Sequence, residues 1–198
     1  MSGTLATEAT RRRLTARQAD TVRRLTEAGV EEVRESGYEN LSIRDVARRA
    51  GVAPATAYTY FGSRDHLLAE IFWRRLSALP PVGVRGQGDD AERGAAAGRK
   101  AEVIAVLREL ALLVSEEPEL AAGCTAAMFG SEPDVRQLRL QLGKQIHDRI
   151  ESAAGRGSPQ GRLLELAFFG AMVEAGLGYT TYEHVADRLA EAAELIMD

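Results

Sequence analysis

Thr56, Tyr58, Thr59 and Tyr60 put four hydroxyl groups within five residues. Hydroxyls at that density on a helix of about two turns suit hydrogen bonding to phosphate oxygens and base edges, because they both donate and accept. A helix that only packed would carry apolar groups there, and two phenols outside a core would be wasteful, although Tyr58 could also help close a small core. The other reactive residues do not assemble. His66, His147 and His184 are far apart, and there is no Glu-x-x-His pair, His-Glu-x-x-His, phosphate-binding loop or dinucleotide glycine pattern. No cofactor or metal is therefore expected. An all-helical enzyme finds little support, and the hydroxylated helix speaks against a helical adaptor that binds other proteins.

The elements that must position these hydroxyls are legible from start and stop signals. Apolar residues recur every three or four positions from Val22 onward and do not alternate, so the chain reads as all-α. Thr15-Ala16-Arg17-Gln18 has the form of a capping box for a first helix that buries Val22, Leu25, Gly29 or Val30, and Val33, and ends at Gly37. Ser42, with Asp45 three residues on, opens a short second helix that buries Ile43, Val46, Ala47 and Ala50. A third opens at Ala53 with Pro54 in its first turn and runs to about Tyr60. The link Ala50-Gly51-Val52-Ala53 allows a sharp reversal at the glycine, and Val52 plugs the angle, which is the geometry of a helix-turn-helix. Ser63 caps a fourth helix carrying Leu67, Leu68, Ile71, Phe72 and Leu76, which stops before Pro80-Pro81. Residues 80–100, with five glycines and two prolines, read as a loop or frayed helix start. Later helices are expected over about 101–116, 118–129, 133–154, 159–177 and 182–197, with Pro118, Pro133 and Pro159 at helix-opening positions.

Composition sets the class. With 198 residues, 45% apolar and 27% charged, the chain is not disordered and can build a small domain plus a medium one. Its single cysteine, Cys124, rules out an internal disulfide framework and fits a reducing compartment. There is no signal-peptide pattern and no run of roughly 20 apolar residues, so a soluble, cytoplasmic protein without a membrane partner is expected. The net charge of -4 conceals a division. From Met1 to Leu76 there are 13 Lys+Arg against 10 Asp+Glu, a net of +3, while the remainder has 12 against 19, a net of -7. The first segment is where a polyanion would bind.

The string LSIRDVARRAGVAPATAYTYFGSRDHLLAEI, Leu41 to Ile71, resembles the DNA-binding region of the TetR family of regulators. The resemblance rests on Leu41-Ser42, Val46-Ala47, Ala50-Gly51-Val52, Thr56-x-Tyr58-x-Tyr60-Phe61, and Ser63-Arg64-Asp65 with Leu67-Leu68. It covers about residues 15 to 75. It implies a DNA-binding domain over residues 1–62 and a helical ligand-sensing and dimerisation domain over 63–198. It further implies that Ser42 caps its helix while touching a phosphate, that Arg44 reaches a phosphate or base, that Ala53, Pro54, Ala55, Thr56, Tyr58, Thr59 and Tyr60 lie along the groove, and that Arg64 anchors a far phosphate. Phe61 is expected in the core. Ala53 stands where the family usually has a serine or similar cap, Pro54-Ala55 replace a frequent Lys-Gly, and Ala57 replaces a common leucine. Affinity then leans on Arg44, Arg48 or the N-terminal Arg11, Arg12 and Arg13, which could equally be a solvated tail.

The last two helices carry stripes suited to self-association: Leu163, Leu166, Gly170, Val173 and Leu177 on one, Val185, Leu189, Ala192 and Ile196 on the other. Ala167, Gly170, Ala171 and Ala175 permit close approach. The resemblance implies a homodimer built on these helices, although the same stripes could face the subunit's own core. Phe72, Trp73, Leu107, Leu110, Met128, Phe129, Phe168, Phe169 and Met172 are candidates for an apolar cavity, with His147 and Tyr179 as polar contacts. The function implied is a repressor that binds double-stranded DNA and is released by a small, largely apolar effector.

Overall fold

A computed structural model describes residues 14–83 and 93–198, and every described element is helical. The Arg11-Arg12-Arg13 arm lies outside the described residues. Helix α1, Ala16–Ser36, opens on the capping box: Gln18 N donates to Thr15 Oγ1 at 3.3 Å while Thr15 N donates to Gln18 Oε1 at 2.8 Å. Gly37, at φ 75°, ends it and leads into a 3-10 turn over Tyr38–Asn40. Helix α2, Ile43–Arg49, is capped by Ser42, which accepts from Asp45 N at 3.2 Å. Gly51, at φ 63°, then makes the reversal that a side chain would strain, and Val52 N bonds to Ala47 O at 2.9 Å. Helix α3 follows as Pro54–Tyr60 and α4 as Arg64–Ala78.

The remaining helices are α5, Arg93–Ala111; α6, Pro118–Met128; α7, Pro133–Ala154; α8, Pro159–Gly176; and α9, Tyr182–Ile196. Four of the five lie close to the expected spans; α5 does not. It begins eight residues before the expected start at 101, because the alanine-rich stretch Ala95-Ala96-Ala97 favours helix despite its glycine neighbours. It also stops short of 116, unwinding through turns such as Ser115 N to Leu112 O at 3.3 Å. Pro118 disfavours a helical backbone at Glu117 and so cannot prolong it.

Two buried clusters form the interior. The first joins α1, α2 and α3 to one face of α4 and one face of α6, through residues such as Leu25, Val46, Phe61, Leu67, Leu120 and Ala127. The second holds the body together around Trp73, Leu107, Leu142, Leu164, Phe168 and Leu189. Helix α4 feeds both, giving Leu67, Leu68 and Ile71 to the first and Ala69, Trp73 and Leu76 to the second. Each fully buried leucine is worth roughly 1.5–3 kcal/mol relative to exposure, so both clusters are substantial.

The two terminal stripes part company. On α8, Leu163, Leu166, Gly170, Val173 and Leu177 all face outward, with Leu166 71% exposed. On α9, Val185 and Leu189 are sealed inside the subunit's own core, because α9 packs against α5 as well as α8. Ala192 and Ile196 of the α9 stripe are half-buried, so the α8 stripe is the more exposed of the two.

Helix α8 ends in close contact with α6. A Cβ added at Gly176 would lie 2.6 Å from both Cβ and Oγ1 of Thr125 and would overlap its Cγ2. Gly176→Ala is therefore expected to destabilise the fold by about 1–3 kcal/mol, seen as a lower thermal midpoint, with Gly176→Val worse. An unchanged midpoint in both variants would contradict this packing.

Candidate functional site

Ala57 is fully buried and pins α3 to the head, while Thr56, Tyr58 and Thr59 project from the opposite side. Tyr58 is 46% exposed although large and aromatic. Tyr60 is half-buried and packs against the first cluster, and Phe61 is in the core as expected. Thr59 Oγ1 donates to Ala55 O at 3.0 Å, which leaves its lone pairs outward. Ala53 provides no side-chain cap, and Pro54 stands in the first turn, where its missing donor has no intrahelical partner to lose. Ala53, Pro54 and Ala55 are exposed.

Beside this face, Ser42 is half-buried and donates to Asp45 Oδ2 at 2.5 Å, while Arg48 pairs with Asp45 at 2.7 Å. Arg44 is exposed and forms no ion pair among the described residues. Ser42, Arg44, Ala53, Pro54, Ala55, Thr56, Tyr58, Thr59 and Tyr60 thus lie together on α2, α3 and their flanks. Arg64 is placed differently. Its Nη1 donates to Tyr38 O at 3.2 Å and Glu39 O at 2.9 Å, and its guanidinium lies 4.4 Å from the Tyr38 ring centroid. This occupies Arg64 in fastening the 3-10 turn to α4, a role its position after a helix cap does not announce.

Sequence reasoning also passed over Arg24. From α1 its Nη2 donates to the carbonyls of Ala50 and, at 3.3 Å, Gly51, and so holds the turn between α2 and α3. On a helix rich in charged residues, a lone arginine reads as a solvated face.

A cavity of about 320 Å³ opens among α4, α6, α7, α8 and α9. Of the expected lining residues, Phe72, Met128, Phe129, Phe168, Phe169 and Met172 are there. Trp73, Leu107 and Leu110 are not; they are sealed in the second core, and α5 packs on α7 and α9. Tyr179 is exposed and does not line it. The polar lining comes instead from Thr125 and Tyr182, whose hydroxyls lie 3.2 Å apart, and from Arg139. Apolar periodicity marks burial and does not say which buried residue borders a void.

Helix α6 touches both regions. Ala121, Cys124, Thr125 and Met128 line the cavity, while Leu120, Cys124 and Ala127 belong to the head's cluster. Burial pushes the Cys124 thiol up to about 12, which leaves it unreactive, and its Sγ lies 3.8 Å from Leu68 O. At the start of α6, Glu117 accepts from Arg34 Nε at 2.9 Å and pairs with Arg75, joining α1, α4 and α6. Burial pushes its carboxyl upward, but Arg75 and Arg34 together outweigh this and hold it below the ordinary carboxylate value.

The arrangement is that of a helix-turn-helix head on a helical body, the class of a DNA-binding transcription regulator. Residues 25–71 match the family model described as bacterial regulatory proteins, tetR family. An uncharacterized HTH-type transcriptional regulator of Mycobacterium tuberculosis is 43% identical over 192 residues, covering 91% of this chain and 82% of that protein. The chain belongs to the TetR family of transcriptional regulators. Among solved structures, a TetR transcriptional regulator from Rhodococcus sp. RHA1 matches with a TM-score of 0.68 at 20% identity, covering 92% of this chain and 97% of that one. FadR of Thermus thermophilus, a TetR-family transcriptional repressor solved in complex with lauroyl-CoA, matches with a TM-score of 0.61 at 19% identity, covering 87% and 93%. These two likenesses speak to the fold. No described helix is long and apolar enough to cross a membrane.

His147 lies outside the cavity, where its Nδ1 meets Glu165 Oε2 at 2.8 Å between α7 and α8. The Glu165 hydrogen bond, opposed by partial burial, raises its pKa above the ordinary histidine value. The stability this pair contributes is present below an unfolded pKa of about 6.5 and is lost as pH rises through the higher folded value. An NMR titration should place the His147 midpoint above 6.5, falling back toward it in Glu165→Gln. A midpoint at or below 6.5 in the unsubstituted protein would refute the pairing.

Proposed function

We propose that this regulator is a dimeric repressor that leaves its operator when a small, largely apolar molecule occupies the cavity among α4, α6, α7, α8 and α9. The observation that carries the reading is the double service of α6, which forms a wall of that cavity and part of the core on which the reading head sits. A molecule that favours one placement of α6 favours one placement of the head. Effector and operator then select different conformations, and release requires only that the effector bind the non-operator state more tightly. The apolar lining supports a largely apolar effector. So does the lauroyl-CoA bound by FadR of Thermus thermophilus, which shares this fold.

Two copies are required because one two-turn helix reads few base pairs. The exposed α8 stripe follows a three-four spacing, the pattern of a helix that packs against another helix. In this reading Thr56, Tyr58 and Thr59 face base edges and nearby phosphates, Arg44 and Ser42 take phosphates, and Ala53, Pro54, Ala55 and Tyr60 shape the backbone approach. Residues 1–62 then act as the DNA-binding unit and 63–198 as the sensing and dimerising unit, with α4 as their shared member.

Fluorescence anisotropy with DNA from upstream of the protein's own gene tests the head. Tyr58→Ala and Thr56→Ala should each weaken specific binding by about 1–3 kcal/mol while leaving non-specific binding nearly unchanged. Arg44→Ala should weaken binding to all sequences and lower the salt slope by about 1. Wild-type affinity in all three variants would remove α2 and α3 from the interface.

Leu166→Arg tests the dimer. Sedimentation should show monomers with unchanged helical circular dichroism, and operator affinity should fall by more than roughly tenfold, since a charge replaces an apolar contact at the centre of the stripe. A Leu166→Arg protein that stays dimeric would place the interface elsewhere.

A further inference from the structure

The charged lining of the cavity is of one sign. Among the described residues, Arg139 is the only charged side chain that borders it, and no carboxylate does. The two hydroxyls, Thr125 and Tyr182, already face each other at 3.2 Å. Arg139 is half-buried on α7 and has no carboxylate partner among the described residues; its Nη1 donates to Met128 O at 2.6 Å and to Gly130 O at 3.1 Å, at the end of α6. A guanidinium has five donors, and these neutral carbonyls engage one of its nitrogens. A cation beside an apolar void of low dielectric attracts an anion and repels another cation far more strongly than the same charge would in water.

Resting on the effector reading above, we infer that the cavity selects an anionic amphiphile: an apolar chain lies among Phe72, Phe168 and Met172, and its acidic head meets the Arg139 guanidinium. An anion adds direct Coulomb attraction that the neutral carbonyls lack and can take two guanidinium donors at once, so the head group competes with Met128 O and Gly130 O for Arg139. That competition takes place at the last turn of α6, the helix whose other face lies in the head's core. The same anionic chemistry is offered by a free long-chain carboxylate and by a phosphate-bearing acyl thioester. Cationic amphiphiles of the same chain length are disfavoured.

The experiment is calorimetric titration of the full-length protein with dodecanoate, dodecanol, dodecyltrimethylammonium and lauroyl-CoA, each below its micelle concentration, with operator release followed in parallel. Dodecanoate is expected to bind the wild-type protein roughly ten- to a hundredfold tighter than dodecanol, with the ammonium weakest. Arg139→Gln should erase the preference for the acid while keeping dodecanol affinity within about twofold, which also shows that the cavity has folded. Arg139→Lys should retain part of the preference. If lauroyl-CoA binds tighter than dodecanoate and loses the same factor in Arg139→Gln, the phosphates supply the anion; if dodecanoate binds and lauroyl-CoA does not, the free acid does. Equal affinity of the wild-type protein for dodecanoate and dodecanol, or a preference that survives Arg139→Gln, overturns the assignment and leaves the apolar effector site standing. Failure of all four probes to bind overturns both.

Discussion

Helix α6 is buried on two sides, and the proposed coupling of cavity to head rests on that constraint. Its apolar residues cannot shift toward the cavity without leaving the head's core, or toward the head without opening the body. Gly123 shows how close the fit is, since a Cβ there would meet Tyr38 at 3.0 Å and Leu68 at 3.1 Å. At the other end of the helix, Glu117 binds one arginine from α1 and one from α4. Such part-buried ion pairs add little net stability, because desolvation offsets the Coulomb attraction, but a charge left unpaired there is costly. Their effect is to define one seating of α6 against α1 and α4. On the proposed reading, a molecule filling the void on one side of a helix so held would bear on the other side.

Two surfaces remain uncovered, and they differ in kind. The face of α3 offers hydroxyls and one aromatic ring, groups that hydrogen-bond in any solvent-accessible setting. The face of α8 offers Leu163, Leu166, Val173 and Leu177 around an exposed glycine, groups with no hydrogen bonds to make. Water tolerates the first arrangement and disfavours the second, so an apolar partner is the natural cover for α8 and a polar one for α3. Phe129, Phe169 and Val173 are both exposed and part of the cavity lining, which places the cavity beside the apolar face.

The head was legible because each of its signals is local. Thr15 with Gln18, Ser42 with Asp45, Gly51 and Pro54 each specify a cap or turn within four residues, and all are found in those roles. Contacts between distant residues were not legible. Arg24 reaching Ala50, and Arg64 reaching Tyr38 and Glu39, depend on how α1 and α4 pack, which no spacing records. For the same reason the stripes on α8 and α9 looked alike, yet α9 turned Val185 and Leu189 inward. The cavity shows the limit best: Phe72 and Trp73 are adjacent and both apolar, yet only Phe72 borders the void. Helical rotation by one residue separates them, and a hydrophobic pattern gives no fixed origin for that rotation.

The distribution of charge bears on how such a head would read DNA. Helix α3 carries no charged residue, so its contribution is directional hydrogen bonding and contact with base edges, which discriminate between sequences more than they attract. Attraction must come from its flanks, yet Arg49 is engaged by Glu32 and Glu35, Arg23 by Asp20 and Glu27, and Arg64 by the 3-10 turn. Arg44, on α2, is left exposed and without an ion pair among the described residues. The body behind it carries a net of -7. Among the described residues the head has few available cations for non-specific phosphate contact, so on the proposed dimeric reading its occupancy of DNA depends on two copies finding matched half-sites together. On the proposed reading, weak general attraction makes the spacing of the two heads, biased through α6, the quantity to which binding would respond most steeply.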